Sequence, residues 1–157
     1  MQINCRRTVK LSLEQAQRII AASQSFGVPC LPRPVSHSND WIKPLLDSGA
    51  DGIVAPMVNS KHQSEAILDL LKFSPEGKRS FGVNRAHGYG SNFGGYVSNW
   101  NASSIYIAQI ETKESVANIT EILSSPNLDG VMIGPYDMSG SLGVPGETTH
   151  PLVQEAE

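Results

Sequence analysis

Residues 104–111 read SIYIAQIE and residues 129–137 read DGVMIGPYD. Each is a run of β-branched and apolar residues that closes on a carboxylate, Glu111 in the first and Asp137 in the second, 26 positions apart. Runs that stay apolar on both faces belong to strands buried between two layers, as in parallel sheets. A carboxylate is costly to bury unless a partner meets it. Two such strands one βα unit apart, each ending in an acid, predict a parallel sheet with chemistry at its carboxyl edge.

Outward from this pair the alternation repeats. Residues 12–27, SLEQAQRIIAASQSFG, have apolar residues near helical spacing, a Ser12–Gln15 capping pair and Gly27 as a stop. VPCLP (28–32) follows as a short strand, and NDWIKPLLDSG (39–49) as a helix that Pro44 kinks unless it sits in the first turn. ADGIVAPMV (50–58) is a strand apolar on both faces. SKHQSEAILDLLKF (60–73) is a helix with a Ser60–Gln63 capping pair and Ala66, Ile67, Leu70 and Leu71 on one face. TKESVANITEILSS (112–125) reads as one helix with Val116, Ile119 and Ile122 inward. Strand ends are expected near residues 33, 57, 83, 111 and 137. A spacing that regular, without a Gly-rich fingerprint, favours a (β/α) barrel over a dinucleotide-binding sheet.

The fold class expected is therefore α/β: a partial TIM (β/α)8 barrel of about five to six βα units with parallel strands, residues 1–157 forming a single incomplete barrel domain. A whole barrel of this period needs roughly 200 residues or more, so units are expected to be missing at both ends. An unpaired edge strand favours association.

The formal charge is −3, with 39 % hydrophobic residues, and no apolar run reaches the length of a membrane span. There is no basic patch, so nucleic acid is excluded as the expected partner. MQINCRRTVK (1–10) has no apolar segment behind its basic residues, which argues for a cytoplasmic protein without a secretory signal. Cys5 and Cys30 have neither metal nor redox spacing and read as free thiols.

Barrel chemistry sits at the carboxyl ends of the strands. Those positions hold Arg33, Met57, Arg85 in the loop after FGVN, Gln109 with Glu111, and Asp137. With only oxygen donors present, Mg²⁺ or Mn²⁺ is the cation expected, with open positions for water and substrate. The plain alternative is that Glu111 and Asp137 merely cap the helices that follow, although Thr112 competes with Glu111 for that role.

Four stretches make the sequence similar to a known family: PRPVSHSNDWIKPLLDSGADGIVAPMVNS (32–60), SPEGKRSFGVNRAHGYG (74–90), QIETKESVANITEIL (109–123) and LDGVMIGPYDMSGSLGVPG (128–146). They resemble the HpcH/HpaI aldolase and citrate lyase family, whose members are metal-dependent (β/α)8 barrels. The joint presence of PMV, QIET and IGPxDxSxSLG resembles its pyruvate-type class II branch, such as 4-hydroxy-2-oxoheptanedioate or 2-dehydro-3-deoxyglucarate aldolases. The resemblance implies a lyase that cleaves 4-hydroxy-2-oxo acids to a 2-oxo acid and an aldehyde, and homo-oligomers at full length. It implies Glu111 and Asp137 as metal ligands and Arg33 as the catalytic arginine that stabilises the enolate. It implies Gln109 and the Gly134, Pro135, Tyr136 and Asp137 segment as the substrate-binding residues.

The chain departs from the family in NCRRTVK (4–10), where an Asp-x-Glu-His stretch would supply proton transfer. Two alternatives follow: a catalytically impaired remnant, or a citrate lyase β or malyl-CoA lyase-like enzyme, for which no CoA site is visible. His37, His62, His87 and His150 read as solvent-exposed, with His87 and Arg85 in a Gly-rich loop on the catalytic side. Arg79 reads as structural or interfacial, and Asp47 and Asp51 as a solvated turn.

Overall fold

The structure, a computed structural model, describes residues 11–157 together with the backbone of residues 2–4. In chain order the elements are β1 (Gln2–Asn4), α1 (Leu13–Ser25), β2 (Leu31–Arg33), α2 (Asn39–Asp47), β3 (Gly52–Ala55), α3 (Lys61–Leu71), α4 (Phe93–Ser103), β4 (Ile105–Ile110), α5 (Lys113–Ala117), α6 (Ile119–Leu123), β5 (Gly130–Ile133), α7 (Pro135–Ser141) and α8 (Pro151–Ala156). A single 3₁₀ turn, Arg85–His87, precedes α4.

Every ladder is parallel. β1 pairs with β2, and β3, β4 and β5 form a three-stranded sheet in that order. β2 is tied to the start of β3 by two bonds: Asp51 N–H donates to Cys30 O at 3.0 Å, and Cys30 N–H donates to Asp51 Oδ2 at 2.7 Å. The strands thus follow one another in space as in sequence, the order of a (β/α) barrel wall. Gly52 is needed where β3 meets β4, because a Cβ there would lie 1.9 Å from Ile105 O.

The main core fills the layer between this wall and its helices. Tyr106, Ala108 and Ile110 point outward from β4 onto Ile53, Ile67, Leu71 and Ile122. A smaller core under α1 joins Ala16 and Ile20 to Cys30, Leu45 and Ala50. Among the described residues no helix is long and apolar enough to cross a membrane.

Several expectations are corrected. No strand ends near residue 83: residues 81–84 are irregular, Val83 is 75 % exposed, and β3 pairs directly with β4, leaving no place between them. Phe81 instead stacks on Phe73 at 4.8 Å between ring centroids. The buried face of α3 is Ser64, Ile67, Leu68 and Leu71, so the expected stripe is rotated and Ala66 faces solvent. The helix expected over 112–125 breaks at Asn118, whose Nδ2 donates to Asn59 O at 2.8 Å. Pro44 lies inside α2, beyond its first turn. The Ser12–Gln15 capping box forms as expected, and Ser60 caps α3. The departure from the family at residues 5–10 lies outside the described residues.

Residues 73–104 leave from the foot of α3 and return to the start of β4, so they pack at the amino edge of the sheet. Buried Arg79 anchors them. Its Nη2 donates to Asp47 Oδ1 at 3.0 Å, its Nη1 donates to Tyr96 Oη at 2.9 Å, and its guanidinium sits 4.5 Å from the Trp100 ring and 4.7 Å from that of Phe73. Lys72, also buried, donates to Asn101 O at 2.6 Å and Ser104 Oγ at 2.9 Å, and burial lowers its ammonium pKa.

Tyr106 is fully buried, and burial pushes its phenol up to about 12, a rise the Ser64 hydroxyl only partly offsets. Its folded pKa lies above the unfolded value of 10.0, so its contribution is fully present below pH 10 and is lost as pH climbs toward about 12. Urea titrations at pH 9 and pH 11.5 should show wild type losing roughly 1–3 kcal/mol more than Tyr106→Phe. Parallel losses would show that the phenol titrates freely.

Candidate active site

Side chains alternate along a strand, so Ile107, Gln109 and Glu111 share the face of β4 opposite to Tyr106, Ala108 and Ile110. In register, Gln109 lies beside Met132 and Ile110 beside Ile133, which brings Glu111 alongside Gly134. Gly134 N–H donates to Ile110 O at 2.9 Å and holds the two strand ends together. Arg33 ends β2, and Pro34 keeps it extended.

These residues meet. Arg33 is buried, and its Nη1 donates to Gln109 Oε1 at 3.1 Å. That bond fixes the amide so that Gln109 Nε2 faces Gly134. A Cβ on Gly134 would lie 2.8 Å from Glu111 Cβ, 2.9 Å from Glu111 Oε2 and 3.0 Å from Gln109 Nε2. Glu111 is 0 % exposed, and its Oε1 accepts the N–H of Met57 at 2.9 Å. Met57 holds φ at +52°, unusual for a residue with a side chain.

Neither acid is the N-cap residue of the helix that follows it. Thr112 caps α5: its Oγ1 accepts Ser115 N–H and its own N–H donates to Ser115 Oγ, both at 3.0 Å. Glu111 turns to Met57 instead. Gly134 is the N-cap of α7, which places Asp137 at the third helical position, half-buried in the acid-favouring first turn. Pro135 has no N–H and that of Gly134 is spent on Ile110, so Tyr136 and Asp137 supply the first N–H groups of α7. The Tyr136 side chain is 70 % exposed.

Among the described residues, no three His, Cys, Asp or Glu side chains converge on one point. Glu111 follows β4 and Asp137 lies in the first turn of α7 after the neighbouring β5, so both acids are at the carboxyl edge.

The remaining candidates fall elsewhere. Arg85 is on the opposite edge, where its Nη1 donates to Gln24 Oε1 and Ser48 O, both at 2.7 Å. Its placement on the catalytic side is thus corrected, because the loop that carries it begins and ends at the amino edge. His87 is buried rather than exposed. Its Nδ1 accepts Gly90 N–H at 3.0 Å, and its Nε2 accepts Asn84 N–H at 3.1 Å and lies 2.6 Å from Gly82 O. Asp47 is paired with Lys43 at 2.5 Å as well as with Arg79, and Asp51 accepts the Cys30 N–H, so neither forms a solvated turn. Cys30 is free, and burial raises its thiol pKa; Cys5 lies outside the described residues.

Two further groups lie at this edge. The Met57 N–H is a backbone group, and its φ is not written in its side chain. His37 is half-buried on the carboxyl edge, its Nε2 2.5 Å from Pro56 O. A groove of about 580 Å³ beside His62, Glu65, Asp69 and Lys78 lies on the helical layer, away from these strand ends.

The sequence profile of the HpcH/HpaI aldolase/citrate lyase family matches residues 4–157. A hydroxypyruvate/pyruvate aldolase of Rhizorhabdus wittichii is 42 % identical over 129 residues, covering 82 % of this chain and 50 % of the relative. A 2-keto-3-deoxy-L-rhamnonate aldolase of Escherichia coli K12 is 39 % identical over 124 residues, covering 78 % of this chain and 46 % of the relative. The crystal structure of an HpcH/HpaI aldolase from Desulfitobacterium hafniense superposes with a TM-score of 0.89 at 29 % identity, over 99 % of this chain and 60 % of that one. The chain spans about half the length of the curated relatives it matches.

Gly134 is where the cluster is tightest. Gly134→Ala drives a Cβ against Glu111 and Gln109, whose partners hold them in place. Chemical denaturation should show a loss of about 1–3 kcal/mol, the usual cost of overpacking. An unchanged midpoint would mean that the strand ends are looser than this packing.

Proposed function

The chain belongs to the HpcH/HpaI aldolase/citrate lyase family, and from that premise we propose that it carries the 2-oxo acid site of a divalent-metal-dependent carbon–carbon lyase. The reaction is cleavage of a 4-hydroxy-2-oxo acid to pyruvate, or a related 2-oxo acid, and an aldehyde. The observation that supports this reading best is the buried cluster of Arg33, Gln109, Glu111 and Gly134 at adjoining strand ends. The names of the relatives, aldolases that act on pyruvate-type and 2-keto-3-deoxy acids, point to the same chemistry.

Each residue has a task in this reading. Glu111 and Asp137 would hold Mg²⁺ or Mn²⁺, which would supply Lewis-acid stabilisation at the 2-oxo oxygen. Arg33, oriented by Gln109, places a fixed positive charge near that oxygen, where an organised donor is worth more than in water. Its planar fork matters as well as its charge. Gln109 Nε2 and the N–H groups of Tyr136 and Asp137 bind the substrate carboxylate, and a glycine at 134 lets the substrate approach the backbone.

Mn²⁺ should raise the melting temperature, because a ligand held by the folded chain alone stabilises it by mass action. Glu111→Gln and Asp137→Asn should each abolish the rise; a rise that survives both would place the ion elsewhere.

Enolisation is the half-reaction that needs no aldehyde site. With Mn²⁺ present, the chain should exchange deuterium into the methyl group of pyruvate, followed by NMR. Arg33→Lys should slow that exchange by about 10²-fold or more, in the range of losing an oxyanion-stabilising donor. Equal rates in wild type and Arg33→Lys would remove Arg33 from the site.

A further inference from the structure

We infer that His37 is a positioning residue for Glu111, acting through the peptide bond between Pro56 and Met57. The inference rests on the proposed role of Glu111 as a ligand of the cation. His37 lies in the loop from β2 to α2, where Ser36 Oγ and Ser38 Oγ meet at 3.1 Å on either side of it. Its Nε2 is 2.5 Å from Pro56 O. A carbonyl only accepts, so the ring donates from Nε2. The other end of the same peptide, Met57 N–H, donates to Glu111 Oε1 at 2.9 Å.

A peptide unit is rigid and planar, and a trans peptide directs its C=O and N–H to opposite sides. His37 and Glu111 therefore grip one body from its two ends. The body has a reason to turn. Met57 is held at φ +52°, a region costly for a side chain other than glycine. The ring of Pro56 fixes its own φ, so the motion left to this peptide is rotation about ψ of Pro56 and φ of Met57. That flip would return Met57 to ordinary backbone space. It would also turn the N–H away from Glu111 and present a carbonyl to the carboxylate. The bond from His37 to Pro56 O is lost in the flip, so it favours the strained orientation that serves Glu111. Partners of metal ligands commonly change metal affinity 10–100-fold when removed, and His37 stands one peptide beyond such a partner.

The test uses the 157-residue chain labelled with [¹⁵N]methionine, whose four methionines give a spectrum that Met57→Leu assigns. In metal-free wild type, the Met57 amide proton should be downfield and protected from exchange, as expected of a donor to a carboxylate. His37→Ala should move it upfield and remove the protection, and should weaken Mn²⁺ binding, read by EPR, roughly tenfold. His37→Gln, whose side-chain N–H can reach the same carbonyl, should restore both. His37→Phe keeps the bulk without the donor and should behave as His37→Ala, which serves if the smaller side chain unfolds the loop. Met57→Gly, which relieves the strain at φ +52°, should recover part of the affinity in the His37→Ala background. An unmoved Met57 amide in His37→Ala and His37→Phe overturns the inference, whatever happens to the melting temperature. An amide that responds as expected in a wild type that binds no Mn²⁺ leaves the positioning role standing and removes the metal reading instead.

Discussion

A carboxylate with no exposure at the end of the central strand is the constraint on which the carboxyl edge is built. Removing Glu111 from water costs several kcal/mol unless charge or donors replace the lost hydration. The Met57 N–H is one such donor, and supplying it requires β3 and β4 to be parallel, adjacent and in the register observed. It also requires Met57 to adopt a left-handed backbone. On the other side Glu111 needs a neighbour without a side chain, and β5 provides Gly134 there. A slip of one residue in either ladder would turn Glu111 into the helical layer, among Tyr106, Ile67 and Ile122. Register, backbone strain and glycine placement therefore serve one side chain.

The opposite edge solves a different problem. Residues 73–104 form a long excursion between two consecutive strands, and excursions of that length need anchors of their own. Arg79 provides one by filling a pocket of aromatic rings while pairing with Asp47, and Lys72 provides another by binding the end of α4. Arg85 ties the same segment to the ends of α1 and α2. All three cations work at the amino edge, where barrels keep their stability, while Arg33 sits at the carboxyl edge, the face on which barrels carry their chemistry.

This division explains which parts of the protein could be read from the sequence. Strands apolar on both faces announced the parallel sheet, and a strand's direction and period fix where its last side chains fall, which put Arg33, Gln109 and Glu111 at the carboxyl edge; Asp137 lies just past β5, in the first turn of α7. The same reasoning failed at residues 81–84. FGVN has the composition of a strand, yet Phe81 finds its partner in Phe73 rather than in a ladder. Arg85 was misplaced as a consequence, since a strand there would have carried it to the carboxyl edge. His87 was read as exposed because nothing local shows that three backbone groups of its own loop close around it. The role of Met57 was illegible for a simpler reason: it is a property of the backbone.

The cluster draws on β2, β3, β4 and β5, which are consecutive in the chain and contiguous in space. Among the described residues, its contacts join neighbouring strand ends or cross the interior face between them, as Arg33 does in reaching Gln109. The outer face of β5 shows the contrast. Val131 and Ile133 there stay 40 % and 41 % exposed above an apolar groove of about 340 Å³. A side chain left half in water forfeits part of its burial energy, so that face contributes less to stability than the β3–β4 seam, where both sides are covered. The cluster of Arg33, Gln109, Glu111 and Gly134 sits at the carboxyl end of the covered seam, and the half-exposed outer face of β5 points away from it.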